Sequence, residues 1–203
     1  MNRPVYTGFA TLDLSKVLMY DFHYNHLLVK YGTDGLRLLF TDTDSLCYLV
    51  STRDIYQDMR GDLTLYDTSN YLPEHLLFSK TNAKVLGKIK DECALTPAVE
   101  FVGLRPKIYS LLMADSKEKK TAKGVSKTVI RKTLRHRNYK EVLEMGCPIL
   151  ASMWQICAHL HQLYMQKVRK VALSAYEDKR YVLDYCVHTL AHCHYKTRGG
   201  YRV

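Results

Sequence analysis

The chain has 203 residues, 47% hydrophobic and 25% charged, a globular composition that excludes a disordered tail or a collagen-like fibre and fits one large domain or two small ones. Lys and Arg outnumber Asp and Glu by 30 to 20, so the net charge is +10. Charges interrupt every apolar run before membrane-spanning length, no apolar stretch follows the N-terminal Met-Asn-Arg-Pro, and the six cysteines form no Cys-x-x-Cys pair. These features predict an intracellular, non-secreted chain with reduced thiols and no membrane contact.

In chain order, Leu14, Leu18, Phe22, Leu28 and Tyr31 recur near one face and predict a helix over 13–31, stopped at Gly32. Two apolar runs, 36–40 and 46–50, read as strands joined by the turn Thr41-Asp-Thr-Asp-Ser45. A short helix is predicted over 53–60 with Thr52 as cap and Gly61 as stop, and a loop over 66–83. Strands are predicted at 85–90, 99–104 and 107–113, and the turn at 114–117 leads into a fourth. Ser126 caps a helix with Val129, Ile130 and Leu134 on its apolar stripe. Asn138 and Glu141 resemble a capping box for a helix ending at Gly146. Residues 149–165 fit helix or strand, and 177–194 read as helix.

Charge is concentrated. Between Lys117 and Lys140 stand ten basic residues and one acid, Glu118. A basic block on a near-neutral body is the footprint of a polyanion site, though a solvated lysine-rich face has the same look. Asp42-Thr-Asp44 between two apolar strands places two carboxylates at a hairpin tip, where Mg²⁺ can be held by carboxylates and substrate phosphates. Aspartate is also favoured in turns for its own backbone hydrogen bonds, and sugar-nucleotide transferases use Asp-x-Asp on a metal. At the C-terminus, Cys186, His188, His192, Cys193 and His194 match no zinc spacing and read as ordinary packing.

Phe40-Thr-Asp-Thr-Asp-Ser45 resembles motif C of family B DNA polymerases, usually Tyr-Gly-Asp-Thr-Asp-Ser. Residues 13–24 resemble the helix leading to that hairpin in the protein-primed members, those of Maverick/Polinton transposons and related viruses. Val85-Leu-Gly-Lys-Ile-Lys-Asp-Glu92 and Glu100-Phe-Val-Gly-Leu-Arg-Pro-Lys-Ile-Tyr-Ser110 resemble the strands that follow. Lys107-Ile-Tyr109 is similar to the Lys-x-Tyr motif. Lys120-Thr-Ala-Lys-Gly-Val125 is similar to the lead into the thumb, and residues 173–184 to its end.

The resemblance implies an α+β fold. An antiparallel palm sheet with packed helices would occupy 1–125, and a mainly helical thumb subdomain 126–203. It implies template-directed nucleotidyl transfer with two Mg²⁺ ions. Asp44 would be the principal metal ligand, and Asp42 would shape the tip. Lys107 and Tyr109 would contact the primer strand, and Lys120, Lys123, Lys127 and Arg131 the phosphates behind its terminus. The implied partners are primer–template DNA, deoxynucleoside triphosphates in the complete enzyme, and a terminal protein primer; the implied location is the nucleus or a site of viral or transposon replication.

The sequence also departs from the family. Phe40 and Thr41 replace Tyr-Gly. Only 41 residues precede Asp42, too few for motif A, motif B or a proofreading exonuclease. The expectation is a palm-and-thumb fragment, inactive by itself. The alternatives are a non-catalytic DNA-binding module derived from the polymerase and a metal-dependent Asp-x-Asp transferase.

Overall fold

The computed structural model describes residues 3–93, 96–176, 180–183, 188–191 and 194, and the fold is mixed α+β. The chain divides into two compact units, Met1–Pro97 and Ala98–Val203. No helix among the described residues is long and apolar enough to cross a membrane.

The first unit opens with α1 (Val5–Asp21), which passes through a π-helical turn (Phe22–Leu27) into α2 (Leu28–Gly35). The predicted helix therefore begins eight residues early, and its predicted stop survives as a break at Gly32, φ 70°. α1 is apolar all round, yet Val5, Tyr6, Phe9, Leu14, Val17 and Tyr20 are all exposed and only Met19 is buried. The π-turn carries the packing instead. Phe22 and Leu27 join Leu36, Met59, Tyr66, Tyr71 and Leu77 in the core of this unit.

β1 (Leu36–Asp42) and β2 (Ser45–Val50) form an antiparallel hairpin, with a bulge between Leu38 and Phe40. α3 (Ile55–Arg60) is capped by Asp54, whose Oδ1 accepts from the backbone N–H of Tyr56 at 2.9 Å and Gln57 at 3.3 Å. Thr52, the predicted cap, donates to Asp58 Oδ2 at 2.6 Å instead. β3 (Tyr66–Asp67) pairs in parallel with β4 (Ile89–Lys90); the predicted strand at 85–90 is thus shorter. The intervening loop hangs on buried Asp67, which accepts from the backbone N–H of Ser69 at 3.0 Å and of Lys84 at 3.2 Å.

In the second unit, β5 (Ala98–Arg105), β6 (Ile108–Met113) and β7 (Glu118–Ala122) form an antiparallel sheet with β6 in the centre. α4 (Lys127–Lys132) is capped by Ser126 as predicted. α5 (His136–Met145) starts before Asn138, whose carboxamide oxygen accepts from Arg135 N–H at 2.8 Å, and it ends at Gly146 in the left-handed region, φ 69°. Leu134, Tyr139 and Val142 pack with Val102, Ile108, Ala122 and Leu173. Residues on both sides of position 125 therefore share one hydrophobic core.

The segment from Ser126 onward is not mainly helical. α4 and α5 are followed by a long ribbon, β8 (Ile149–His159) and β9 (Gln162–Leu173). Its root is buried at Ala151, Met153, Ala172 and Leu173, whereas Trp154, Ile156, Leu163 and Met165 are exposed. Its turn, Leu160-His161, has positive φ at both residues. Such a turn favours Asn or Gly, so Leu-His gives no turn signal and the hairpin is hidden in the sequence. The helix predicted over 177–194 is also replaced where described: β10 (Arg180–Val182) pairs antiparallel with β11 (Thr189–Ala191). Residues 177–179, 184–187 and 192–193 of that prediction lie outside the described residues.

Candidate nucleic-acid interface and carboxylate hairpin

Asp42 closes the ladder of the first hairpin by pairing with Ser45, leaving Thr43-Asp44 as a two-residue tip. Thr43 has φ 57°, an uncommon conformation for a β-branched residue, and Asp44 N–H donates to Asp42 C=O at 2.7 Å. Thr43 Oγ1 lies 3.4 Å from Asp42 Oδ1. Asp44 is exposed and Asp42 half-buried. Asp42 shares a face with Phe40 and Cys47 through the register Phe40↔Cys47 and Asp42↔Ser45. Burial, with Cys93 nearby, pushes the Cys47 thiol up to about 11, which favours the protonated form. The other face is tied to the π-turn: His23 Nδ1 lies 3.0 Å from Tyr48 Oη and the two rings stack. The hairpin is therefore anchored at its middle while its tip projects.

The carboxylates fit a hard cation only in part. Mg²⁺ is commonly held by one or two carboxylates with water and phosphate. Two carboxylates on one tip supply that much. Among the described residues no group of three or more His, Cys, Asp or Glu gathers as a closed metal site.

The predicted DNA contacts divide between the two faces of the β5–β6–β7 sheet. Lys107 sits in the tight turn between β5 and β6 with φ 62°, not within the strand. Tyr109 lies opposite Gly103 and Thr121, and its ring is 6.3 Å from that of Phe101, which covers Gly103. Lys119 pairs with Leu111 on this same face. Lys123 N–H donates to Lys107 C=O at 3.0 Å, so these two lysines share one end of the sheet. A β-carbon at Gly124 would lie 3.8 Å from Lys170 Nζ, which brings a third lysine, from β9, to that end. Lys127 is exposed in the first turn of α4.

Lys120 is on the other face. Its side chain is 7% exposed, and its ammonium donates to Glu118 Oε2 and to Leu134 C=O, each at 2.6 Å. Burial pushes the Glu118 carboxyl up, but Lys120 and the backbone N–H of His136 outweigh it and the net displacement is downward. Lys120 is thus occupied in holding β7 to the α4–α5 junction. Arg131 is exposed beside it. Ser116, Glu118, Lys120, Arg131 and Arg135 line one shallow depression.

Lys119 and Arg135 belong to the basic block without a contact role of their own in the sequence, and Lys170 and Ser116 lie outside it. Strand alternation could have found Lys119, because it has the parity of Tyr109's partner Thr121 and Lys120 does not. Lys170 and Ser116 carry no local signal; the ribbon register and the β6–β7 turn bring them into place. Of the C-terminal Cys/His group, Cys186, His192 and Cys193 lie outside the described residues.

Comparison with known protein families, with curated proteins and with solved structures returns no match for this chain.

Proposed function

We propose that this chain is a palm-and-thumb portion of a protein-primed family B DNA polymerase of the transposon or viral type, that it binds DNA non-specifically, and that it does not synthesise DNA alone. The observation that carries the reading is the hairpin that holds Asp42 and Asp44 at its tip, where motif C of that family would put them. The order of elements is in keeping with it: helix, carboxylate hairpin, antiparallel sheet with a Lys-x-Tyr pair, and basic segment. In the proposed assembly Asp42 and Asp44 would hold Mg²⁺, which would neutralise phosphate charge. The complete enzyme would take deoxynucleoside triphosphates, primer–template DNA and a terminal protein primer at intracellular replication sites.

DNA binding is assigned to the lysine-rich end of the sheet, where Lys107, Lys123 and Lys170 come together and Lys127 follows on α4. Lysines neutralise backbone phosphates and release counterions, so affinity falls steeply with salt. The test is fluorescence anisotropy with duplex and primer–template DNA over a salt series. Four lysine contacts contribute roughly −4 to the log–log slope, a contribution that the variant K107Q/K123Q/K127Q/K170Q removes. With Mg²⁺ and all four nucleotides the chain leaves the primer unextended. A parent chain with no salt-dependent DNA binding removes the reading. Extension that disappears in Asp44→Ala shows a complete active site in this chain and overturns the claim of inactivity.

A further inference from the structure

The depression between β7 and the α4–α5 junction has a composition unlike the lysine end of the sheet. Its floor is the Lys120–Glu118 pair. Both Glu118 oxygens are used, Oε2 by Lys120 and Oε1 by the backbone N–H of His136 at 3.0 Å. This pair is neutral, held from both sides, and adds no net attraction. The remaining charge comes from two guanidiniums, Arg131 at the end of α4 and Arg135 at the start of α5. Arg135 Nη1 donates to Arg131 C=O at 3.3 Å, which ties its side chain to the α4 turn. Among the described residues the Arg131 side chain has no ion pair. Ser116 adds a hydroxyl from the β6–β7 turn, where its φ of 64° fixes an unusual backbone.

Two planar guanidiniums and a hydroxyl over a neutralised floor suit a tetrahedral oxyanion. Each guanidinium offers paired N–H donors of the kind that match two phosphate oxygens, and Ser116 lines the same depression. The Glu118 carboxylate would repel it, but its bonds to Lys120 and to the His136 N–H take up that charge.

We propose that Ser116, Arg131 and Arg135 form a phosphate-binding site, with Lys120 and Glu118 as positioning residues beneath it. The phosphate is either a diester in a nucleic-acid backbone or a free phosphate group. The first source rests on the DNA-binding reading above; the second does not.

The test has two arms. In the first, inorganic phosphate is titrated into the isotope-labelled chain at constant ionic strength, and the arginine Nε–Hε resonances are followed. In the second, duplex DNA binding is measured across a salt series. The variants are R131Q/R135Q, R131K/R135K, which keeps the charge and loses the planar fork, and K80Q/K84Q as an equal-charge control. We expect saturable shifts at Arg131 and Arg135 and about a tenfold loss of phosphate affinity in R131K/R135K. For a backbone diester, R131Q/R135Q reduces the steepness of the DNA salt slope by about 0.9, the value of one phosphate, and the control does not. If Arg131 and Arg135 respond to phosphate no differently from the other arginines, or the lysine pair binds phosphate as tightly, the site is refuted, even where DNA binding by Lys107, Lys123, Lys127 and Lys170 persists. If phosphate saturates the site while the parent ignores DNA, the polymerase reading falls and the site stands as one for a free phosphate group.

Discussion

The imidazole of His136 and the hydroxyl of Ser110 are both buried and lie 2.8 Å apart, joining the first turn of α5 to the central strand β6. The other ring nitrogen faces Glu100 Oε2 at 3.4 Å, an electrostatic contact without hydrogen-bond alignment. Glu100 Oε1 takes Lys140 at 2.6 Å, one turn further along α5. Ser, His and Glu in sequence suggest a nucleophile relay, but Ser110 is 0% exposed and no substrate can reach it. The network is a latch between helix and sheet.

His136→Leu should therefore destabilise the second unit by about 2–4 kcal/mol, because it strands the buried Ser110 hydroxyl and alters a packed site. Ser110→Ala should cost about 1–2 kcal/mol. Urea unfolding of the two single variants and the double variant gives the coupling, expected above about 0.5 kcal/mol. Additive effects would show that the pair merely sits side by side.

The latch also marks what was legible in the sequence. Ser126, Val129, Ile130 and Gly146 announced α4 and the end of α5, since caps and stripes are local signals. The hairpin around Asp42 and Asp44 was equally plain, with apolar runs on both sides of a polar turn. The β8–β9 ribbon was not, because Trp154, Ile156, Met165 and Leu163 put apolar groups on an exposed face and Leu160-His161 disguised the turn. Lys120 was misplaced for another reason. Charge counting gives every lysine the same weight, and only strand parity and the late partners Leu134 and His136 reveal which ones turn inward.

Asp67 gives the first unit a pH dependence. Its own turn, through the side chain and the backbone N–H of Ser69, holds its carboxyl below the usual 3.8, with Lys84 N–H and Lys90 adding to the effect against burial. The folded value lies below the unfolded one, so this contribution is complete above the unfolded value and is lost as pH falls through the folded value. Asp58, lowered chiefly by Thr52, acts in the same direction. Thermal unfolding from pH 6 down to about pH 2 should show the parent losing stability in that acid range. Asp67→Asn should be less stable at neutral pH and should lose less on acidification. Parallel curves would assign the acid sensitivity to other carboxylates.

Thr43 holds a left-handed φ of 57° at the hairpin tip. A β-branched side chain there costs on the order of 1 kcal/mol, and glycine adopts the conformation without that cost. Thr43→Gly should raise the stability of the first unit by up to about 1 kcal/mol in a urea titration. A clear loss of stability would mean that the Thr43 hydroxyl contact with Asp42 outweighs the backbone strain.

Lys120 and Lys123, three residues apart, should behave in opposite ways. The Lys120 ammonium bridges Glu118 Oε2 and Leu134 C=O, with only 7% of its side chain exposed. Lys120→Met keeps the aliphatic bulk but leaves the carboxylate and the carbonyl without that partner. Breaking a fully buried pair costs about 3–5 kcal/mol; Glu118 is 21% exposed and can recover some hydration, so about 2 kcal/mol is expected. Lys123 is exposed beyond the end of β7, and Lys123→Gln should change stability by less than about 0.5 kcal/mol. DNA binding should show the reverse order. Lys123→Gln should reduce the steepness of the log–log salt slope by about 0.9, one phosphate contact, and Lys120→Met should reduce it by less under conditions where the variant is folded. Unfolding and anisotropy measurements on the same two variants give a crossed pattern that neither uniform charge loss nor general destabilisation reproduces. If instead Lys120→Met keeps its stability and flattens the salt slope, its ammonium leaves Glu118 for a phosphate when DNA arrives, and Lys120 is a contact residue rather than a support.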